Sequence, residues 1–341
     1  MGVNLKGIIK TKEISLDNLS NMTVAIDAYN AIYQFLSSIR TYDGEYLKNN
    51  EGKVTSHLSG LFYRNMNFLT LGIKPIYVFD GKPPSEKRGE IEKRKMRKII
   101  ATEKYLKAIE KKDLESARKY SQATTRIENY MVEEAKEVLS MMGIPIIQAP
   151  SEGEATAAYL NSCGISNTTA SQDYDSLLFG AKILIRNMAV SGKRKLPNKQ
   201  IYVNVETQKI NLDENLVELG VSREQLVDIG ILIGTDYNPN GFEQIGPIRA
   251  LKLIKKHNKL ENISELKNEL DNIDYNRIRK IFLEPEIPKI GKLEWKNIDE
   301  GELIKFLCDK NAFSNIRISN TIKKLKEKNE LKANSLEKWL N

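Results

Sequence analysis

The 341-residue sequence lacks most features of secreted, membrane and disulfide-rich proteins. It has two cysteines, Cys163 and Cys308, which excludes a disulfide scaffold and is typical of a reducing compartment. No run of about 18 apolar residues is present, so no membrane span is expected. The start, MGVNLKGIIK, does not have the architecture of a signal peptide. We therefore expect a cytoplasmic protein with no membrane partner.

Histidine is equally scarce, since His57 and His257 are the two in the chain. They leave little material for a zinc-histidine centre, and each is expected to be structural or superficial. No Ser-His-Asp or Cys-His set and no Walker A sequence is recognisable, which argues against covalent catalysis and ATP-driven steps. The formal net charge is +8. That excess favours a polyanionic partner, although it suits solubility equally well.

Two predicted strands each end on an aspartate. Residues 23–26 run into Asp27, and residues 75–79 run into Asp80. Both are short apolar runs of the kind found in parallel sheets. Ligands of open α/β sheets bind beyond the carboxyl ends of the strands, so these two aspartates are expected at one crevice.

The stretch around residues 144–164 adds two glutamates. Residues 144–147 form a predicted buried strand, and Ser151 is a suitable N-cap for the Ala-rich helix that follows. Glu152 and Glu154 fall in the first turn of that helix, where the helix dipole favours negative charge. Helix capping alone would explain them equally well.

A further predicted strand, residues 168–170, is followed at once by Asp173 and Asp175. A turn would explain this pair by itself, but six acids at the ends of four strands need neutralising charge. Two carboxylates about 4 Å apart repel by roughly 4 kcal/mol at an effective dielectric constant of about 20. Oxygen ligands of this kind suit Mg²⁺ or Mn²⁺. The sequence therefore predicts a divalent-metal site with two ions.

The compositional extreme of the chain is residues 87–112, KRGEIEKRKMRKIIATEKYLKAIEKK. Lys87 and Arg94 fall near one helical face, and Glu90 precedes Arg94 by four residues. A solvated helix with internal ion pairs is the usual meaning of such a run. We favour a phosphate-contacting element instead, because the excess charge is positive and begins just after Asp80.

The region near residue 234 supplies a seventh acid. A predicted helix starts at Ser222, and Gly234 and Asp236 follow its end. Gly246 and Pro247 then open another helix, where backbone N–H groups can bind a phosphate. A helix-turn-helix without a ligand is the alternative for this region.

Six segments, VAIDAYNAIYQFL, PIYVFDGKPP, APSEGEATAAYL, SQDYDSLLFGA, GTDYN and QIGPIRAL, follow one another between Met1 and about His257. Together they resemble the structure-specific 5′ nucleases of the flap endonuclease (XPG-like) family, and its archaeal members most closely. The resemblance implies an α/β fold with a PIN-like, mostly parallel central sheet flanked by helices, a helical arch and a duplex-binding helix-turn-helix element. It also implies cleavage of 5′-flap and branched DNA at the junction during replication and repair, with added 5′–3′ exonuclease activity.

The resemblance also assigns roles to individual residues. It implies two Mg²⁺ ions, for which Mn²⁺ may substitute. The first ion would be held by Asp27, Asp80, Glu152 and Glu154, and the second by Asp173, Asp175 and Asp236. The pair that contacts the scissile phosphate would be Lys87 and Arg94. The substrate-binding positions would be Tyr33, Arg40, Arg64, Glu152, Gly234, Asp236 and Gly246. Among these, Tyr33 matches the tyrosine on which a terminal base stacks.

The chain departs from the family pattern in the hairpin before residue 248. The family reads Gly-Ile-Gly-Pro-Lys there, whereas this chain has Gln244 first and Ile248 last. Glutamine adopts a positive φ less readily than glycine, and isoleucine removes a cation. Both changes bear on how this element anchors duplex DNA and the monovalent ion that the family holds there.

The last residues keep the spacing of the family's sliding-clamp motif. Leu336, Trp339 and Leu340 are the predicted contacts with the clamp (PCNA), although Ala333 stands where the motif has glutamine. A frayed terminal helix is the alternative.

The predicted organisation has five segments. They are 1–98, the N-terminal nuclease region with the start of the arch; 99–115, the basic arch segment; 116–258, the internal nuclease region with the helix-turn-helix; 259–325, a helical bracing region with Trp295 and Phe306 as buried anchors; and 326–341, the clamp-binding-like tail. Two other functions stay open, a PIN-type metal-dependent ribonuclease and a non-catalytic DNA- or clamp-binding module. The basic segment disfavours the first, and the full set of acids disfavours the second.

Overall fold

The computed structural model describes residues 2–41, 44–188, 192–195 and 202–340. Within these residues the strands are β1 (Lys12–Ile14), β2 (Thr23–Asp27), β3 (Lys74–Phe79), β4 (Ile146–Gln148), β5 (Thr168–Ala170), β6 (Ile183–Arg186), β7 (Gly192–Lys195), β8 (Tyr202–Val205) and β9 (Thr207–Asn211). Side chains are described for the same residues except 114, 118, 192–195, 202–204 and 332–340.

Helices make up most of the remainder. They are α1 (Ala28–Ser38), α2 (Ser56–Leu71), α3 (Arg88–Glu110), α4 (Leu114–Ala123), α5 (Asn129–Met141), α6 (Gly153–Ser162), α7 (Asp175–Leu178), α8 (Leu212–Leu219), α9 (Arg223–Ile233), α10 (Pro247–His257), α11 (Lys267–Leu270), α12 (Tyr275–Leu283), α13 (Glu300–Ile304) and α14 (Asn315–Leu340). We call α3 and α4, which pack on each other, the arch helices.

The main sheet has the strand order β1-β9-β6-β5-β2-β3-β4. The strands from β6 to β4 in this order pair in parallel, whereas β9 is antiparallel to both β6 and β1. The predicted α/β class with a mostly parallel sheet is confirmed. Because β2, β3 and β5 are parallel neighbours, their carboxyl ends lie at one edge of the sheet.

Helices cover both faces of this sheet. Val24 and Ile26 of β2 face a core formed with α1, α2 and α5, while Ala25 faces α6 on the opposite side. This alternation follows from the two-residue period of a strand. A further core, built around α7, α9, α10 and α12, lies beside α6 and includes Val3 and Leu5 from the start of the chain.

Two predictions about residues 144–154 were wrong in detail. The strand there, β4, is at the edge of the sheet and leaves Ile146 exposed rather than buried. The helix α6 has Glu152, not Ser151, at its N-cap. Its first N–H group, on Gly153, donates to the carboxylate of Asp80 at 2.7 Å. A side chain from another strand therefore takes the place of the local serine cap.

The basic segment Gly192–Lys195 forms the strand β7. It pairs antiparallel with β8 in a separate two-stranded ribbon, with Lys193 opposite Asn204. The basic sequence Gly-Lys-Arg-Lys carries no apolar alternation that would have predicted a strand. Residues 189–191 and 196–201 lie outside the described part of the chain.

The bracing region contributes one buried and one half-buried anchor. Phe306 is buried, as predicted, but Trp295 is only half-buried. Its indole Nε1 donates to the carbonyl of Pro75 at 2.8 Å, which ties residues near 295 to β3. Among the described residues, no helix is both long and apolar enough to cross a membrane.

Three predicted segment boundaries fall inside single helices. Residue 98 lies within α3, residue 115 lies within α4, and residue 326 lies within α14, which continues to Leu340. The division into five segments stays a prediction. The predicted clamp contacts of Leu336, Trp339 and Leu340 also stay predictions, because those side chains lie outside the described set.

Candidate functional site

Asp27 and Asp80 lie at the ends of adjacent parallel strands. β2 and β3 pair so that Asp27 stands beside Val78, two residues before Asp80. Asp27 is buried at the N-cap of α1 and accepts a hydrogen bond from the backbone N–H of Asn30 at 2.9 Å. Asp80 faces the start of α6 through its bond with Gly153. The pairing of β2 with β3 therefore brings Asp27 and Asp80 to the same edge of the sheet, as predicted.

Glu154, in the first turn of α6, points back towards the end of β5. Its Oε1 accepts from the hydroxyl of Ser171 at 2.5 Å and from that of Ser176 at 3.4 Å. Glu152, one residue before the helix, accepts from the Lys87 ammonium at 2.6 Å. The two glutamates thus connect the strand ends to the arch helices.

Asp173 and Asp175 follow β5 and are held by the start of the chain. The backbone nitrogen of Gly2 donates to Asp173 Oδ1 at 3.3 Å, and that of Val3 donates to Asp175 Oδ1 at 2.6 Å. The side-chain amide of Asn30 donates to Asp173 Oδ2 at 3.3 Å. Asn30 therefore links these aspartates to the helix that Asp27 caps.

Asp236 lies just beyond α9 and faces the arch. Nη2 of Arg94 lies 2.6 Å from Asp236 Oδ1 and 2.7 Å from Oδ2. Nζ of Lys87 is 3.2 Å from Asp236 Oδ2 as well as bonded to Glu152. Arg94 also donates through Nε to Glu90 at 3.0 Å. The predicted basic pair is thus in direct contact with the acids.

Burial and mutual repulsion raise the pKa of Asp27, Asp80 and Asp175. Burial and then Glu152 raise the pKa of Asp80 to about 6, and burial and then Asp236 raise the pKa of Asp175 to about 7. Burial, followed by the charge of Asp80, raises the pKa of Asp27 well above its usual value. Burial is the largest cause of each shift, and a neighbouring acid is the second, so these acids act on one another within one electrostatic cluster.

Asp236 shows the opposite shift. Burial by itself would raise the pKa of its carboxyl, but the charges of Lys87 and Arg94 outweigh burial and lower that pKa. Burial would likewise lower the pKa of the Lys87 ammonium, yet Glu152 and Asp236 raise it. At neutral pH these groups are therefore charged.

The cluster fits a divalent cation by the chemistry of its donors. Carboxylate oxygens buried together and short of positive charge are the ligands that Mg²⁺ and Mn²⁺ prefer. Among the side chains that the structure describes, no three are already spaced as a complete ligand set. Lys87 and Arg94 instead occupy oxygens of Glu152 and Asp236. A cation at those oxygens requires the basic side chains to move.

Tyr33 and Arg40, on α1 and just after its end, are predicted substrate contacts. Tyr33 on α1 is 39% exposed, and the Lys98 ammonium is 5.8 Å from its ring centroid. The guanidinium of Arg40 donates to the carbonyls of Leu36 and Gly44 and to the hydroxyl of Thr125, at 3.0, 2.9 and 2.8 Å respectively. Arg40 is thus already committed to protein partners.

The remaining predicted contacts lie on α2 and beside α9 and α10. Arg64 is half-buried on α2, where burial lowers the pKa of its guanidinium. Gly234 ends α9 with φ +109°, and a methyl group there would lie 2.8 Å from the nitrogen of Gly241. Gly246 is the exposed N-cap of α10. Their roles in substrate binding stay predictions.

Sequence reasoning missed the residues that orient the acids. Asn30 could have been found, because it stands three residues after a strand-terminal aspartate in a helix's first turn. Ser171 lies close to the predicted acids in the sequence, but a serine at that position is typical of an ordinary turn. Gly2 and Val3 gave no signal at all, because their contacts reach 171 and 172 residues along the chain.

Two protein-family models match the chain. The XPG N-terminal domain matches residues 1–101, and the XPG I-region matches residues 143–236. Asp27, Asp80, Lys87 and Arg94 fall in the first match. The second contains Glu152, Asp173 and the other acids up to Asp236.

Curated relatives and solved structures agree with this result. Flap endonuclease 1 of Nitrosopumilus maritimus is 52% identical over 339 residues, covering 99% of this chain and 100% of that protein. The Pyrococcus furiosus protein of the same name is 48% identical and covers 99% of both. The structure of flap endonuclease-1 from Methanococcus jannaschii superimposes with a TM-score of 0.76 at 39% identity, over 97% of this chain and 100% of that one. The catalytic core of Rad2 shares the fold, with a TM-score of 0.68 at 23% identity over 92% of this chain and 96% of that one.

Proposed function

The chain belongs to the XPG family of structure-specific nucleases and is a homologue of flap endonuclease 1; we propose that its acid cluster hydrolyses 5′-flap DNA with two Mg²⁺ ions. The observation that carries this proposal is the contact of Glu152 and the buried Asp236 with Lys87 and Arg94, the two cations at the start of the arch. Carboxylates that can hold two metal ions, next to cations that can bind a phosphate, suit phosphodiester hydrolysis.

The seven acids divide into two proposed ligand sets. The first ion would be held by Asp27, Asp80, Glu152 and Glu154, and the second by Asp173, Asp175 and Asp236. When bound, the ions supply charge stabilisation for the attacking and leaving oxygens and acidify the attacking water. The side chains of Ser171 and Asn30 and the backbone nitrogens of Gly2 and Val3 donate hydrogen bonds to these proposed ligands and would orient them.

Lys87 and Arg94 would bind the scissile phosphate. Both are held at the cluster by ion pairs now, and both belong to the start of the arch. A phosphate that binds between these side chains and the acids would replace the carboxylates as the anion that each cation contacts. The guanidinium of Arg94 suits a phosphate especially well, because its planar donors bind two oxygens at once.

The DNA strands would take two surfaces next to the cluster. Tyr33, with the Lys98 ammonium over its ring, offers a stacking platform for the terminal base of the single strand. Arg249, Lys252 and Lys255 are exposed along α10, which places positive charge beside the N-cap at Gly246. We propose that this face anchors the duplex through phosphate contacts.

Several wider aspects of the function rest on the family alone. Branched DNA as a second substrate, 5′–3′ exonuclease activity and a role in replication and repair are proposals for this chain. The solved Rad2 core was in complex with a DNA substrate. The clamp contact through Leu336, Trp339 and Leu340 is likewise a proposal, supported by their spacing in the sequence.

A substrate panel tests the proposal. The protein is incubated with labelled 5′-flap DNA, with the same flap strand as RNA, and with blunt duplex DNA, each in Mg²⁺ or in EDTA. We expect Mg²⁺-dependent cutting near the base of the DNA flap. Equal cutting of all three substrates would remove the structure-specific assignment, and preferred cutting of the RNA strand would favour a ribonuclease.

A further inference from the structure

We propose that Gly2 and Val3 are positioning residues of the active site, which hold Asp173 and Asp175 in the orientation that a metal ion needs. The proposal rests on the function proposed above, since it takes these two aspartates to be ligands. It assigns a role in the reaction to the first residues of the chain, which lie far in sequence from both aspartates.

The first observation is a pair of backbone donors aimed at neighbouring carboxylates. The nitrogen of Gly2 is 3.3 Å from Asp173 Oδ1, and the nitrogen of Val3 is 2.6 Å from Asp175 Oδ1. Each bond takes the Oδ1 oxygen of its carboxylate, and the Asn30 side-chain amide donates to the second oxygen of Asp173 at 3.3 Å. The Gly2 nitrogen keeps this donor capacity as an amide or, if Met1 is removed, as an amine.

The second observation is steric. A Cβ atom at Gly2 would lie 2.4 Å from Cγ and Oδ2 of Asp175 and 2.5 Å from its Oδ1. These distances are far below van der Waals contact, so any side chain at residue 2 must displace the carboxylate. The lack of a side chain at Gly2 is therefore what lets the two donors and Asp175 share this space.

The third observation is that the start of the chain is fixed in place. Val3 is 2% exposed and Leu5 is fully buried, in the same core as Leu177 and Leu178 of α7. Asp175 is the first residue of that helix. Because Val3, Leu5 and α7 are anchored in one core, moving the N-terminal residues away from Asp175 would disrupt buried packing. A methyl group at Gly2 must instead turn the Asp175 side chain.

A displaced ligand has consequences that differ from those of a loosened fold. A positioning role predicts weaker metal binding and slower chemistry, with DNA affinity and stability retained. Partners that orient metal ligands typically contribute about 10- to 100-fold to metal affinity or activity. A purely structural role predicts a lower melting temperature and no specific loss of metal binding.

The test compares Gly2→Ala with Gly291→Ala in the full chain. Gly291 is a matched control, since a Cβ atom there would meet nothing within 4 Å. Three quantities are measured: Mn²⁺ affinity by electron paramagnetic resonance without DNA, 5′-flap affinity in Ca²⁺, and the single-turnover rate at saturating Mg²⁺. Melting temperature is recorded for both variants.

We expect Gly2→Ala to lower Mn²⁺ affinity and the single-turnover rate by about tenfold or more, with flap affinity and melting temperature unchanged. Gly291→Ala should match the wild type throughout. Wild-type Mn²⁺ affinity in Gly2→Ala would overturn the positioning role, as would a loss explained by a lower melting temperature. Failure of the wild type to cut flap DNA would instead overturn the proposed function, because the Mn²⁺ measurement does not depend on cutting.

Discussion

Arg94 holds Asp236 with one nitrogen, Nη2, placed 2.6 Å and 2.7 Å from the two carboxylate oxygens. Asp236 is at the same time a proposed metal ligand, and Arg94 is a proposed phosphate contact. In this ion pair each side chain stands in for the other's proposed ligand. In the assembled site a metal ion would bind the Asp236 carboxylate, and a phosphate would bind the Arg94 guanidinium. Metal binding and arch position are expected to be linked through this ion pair.

Arg94→Ala should bind Mn²⁺ more tightly than the wild type in the absence of DNA. Removing the guanidinium takes away one of the two cations that hold Asp236, while Lys87 stays 3.2 Å from its Oδ2. A severalfold gain in affinity is expected, up to about tenfold or ~1.4 kcal/mol. Titration followed by electron paramagnetic resonance measures it. Arg97→Ala is the control, because Arg97 is exposed and its ion pair, among the described side chains, is with Glu90 at 3.6 Å rather than with Asp236. Unchanged or weaker Mn²⁺ binding in Arg94→Ala would show that Arg94 does not compete with the ion.

Lys87→Ala should slow single-turnover cleavage more than it weakens flap binding. Lys87 contacts Glu152 and Asp236, so its charge acts at the cluster rather than along the DNA. We expect a loss of about a hundredfold in rate, the range of one lost charge-stabilising donor. Rates are compared with dissociation constants over a series of salt concentrations. If only the salt dependence of affinity changed, Lys87 would be an ordinary phosphate contact.

Asp175→Ala should abolish cutting and leave 5′-flap binding intact. The side chain is buried at the start of α7 and proposed to bind the second ion. We expect a loss of more than about a hundredfold in single-turnover rate at saturating Mg²⁺. Asp213→Ala is the control, since Asp213 is exposed on α8. A substantial residual rate in Asp175→Ala at high Mg²⁺ would exclude Asp175 as an essential ligand.

Local signals in the sequence were sufficient for the strand-terminal acids and for α9. Asp27 and Asp80 follow apolar runs that are strands, and Ser222 with Gln225 forms the capping box that opens α9. Such signals involve residues within a few positions of one another, so one sequence reveals them. The family resemblance, not periodicity, supplied the division of the acids between two ions.

Long-range contacts were beyond the reach of local reasoning. α6 starts after Glu152 because Asp80, on another strand, receives the N–H of Gly153. Arg40 was predicted as a substrate contact, but nothing nearby in the sequence showed that Thr125 would accept its guanidinium. The same limit applies to Gly2, whose small size matters only because Asp175 lies against it in the fold.

In EDTA, stability should fall as the pH rises from about 4 to about 7. The pKa of Asp80 is raised to about 6 and that of Asp175 to about 7, both from 3.8. Each carboxyl keeps its proton in the folded protein after the unfolded chain has lost it. Its stabilising contribution is therefore complete below the unfolded pKa and is lost as the pH rises through the folded pKa.

Melting temperature as a function of pH measures this effect. Asp175→Asn should flatten the decline, because its neutral side chain cannot ionise, and Mg²⁺ should restore the melting temperature of the wild type near neutral pH. The same decline in Asp175→Asn as in the wild type would show that Asp175 does not contribute to it.

Gln244→Gly should stabilise the fold. Gln244 has φ +59°, so the hairpin before α10 keeps the left-handed residue for which glycine is better suited. Relief of that strain is expected to contribute about 1 kcal/mol, partly offset by the greater entropy of glycine in the unfolded chain. The denaturant midpoint measures the change, and Gln244→Ala is the control, since alanine keeps the Cβ atom that causes the strain.

Because Gln244 is exposed, the side chain itself contributes little packing. A glycine variant no more stable than the alanine variant would mean that Gln244 is not strained, and the hairpin would then owe its geometry to contacts with α10 rather than to residue 244.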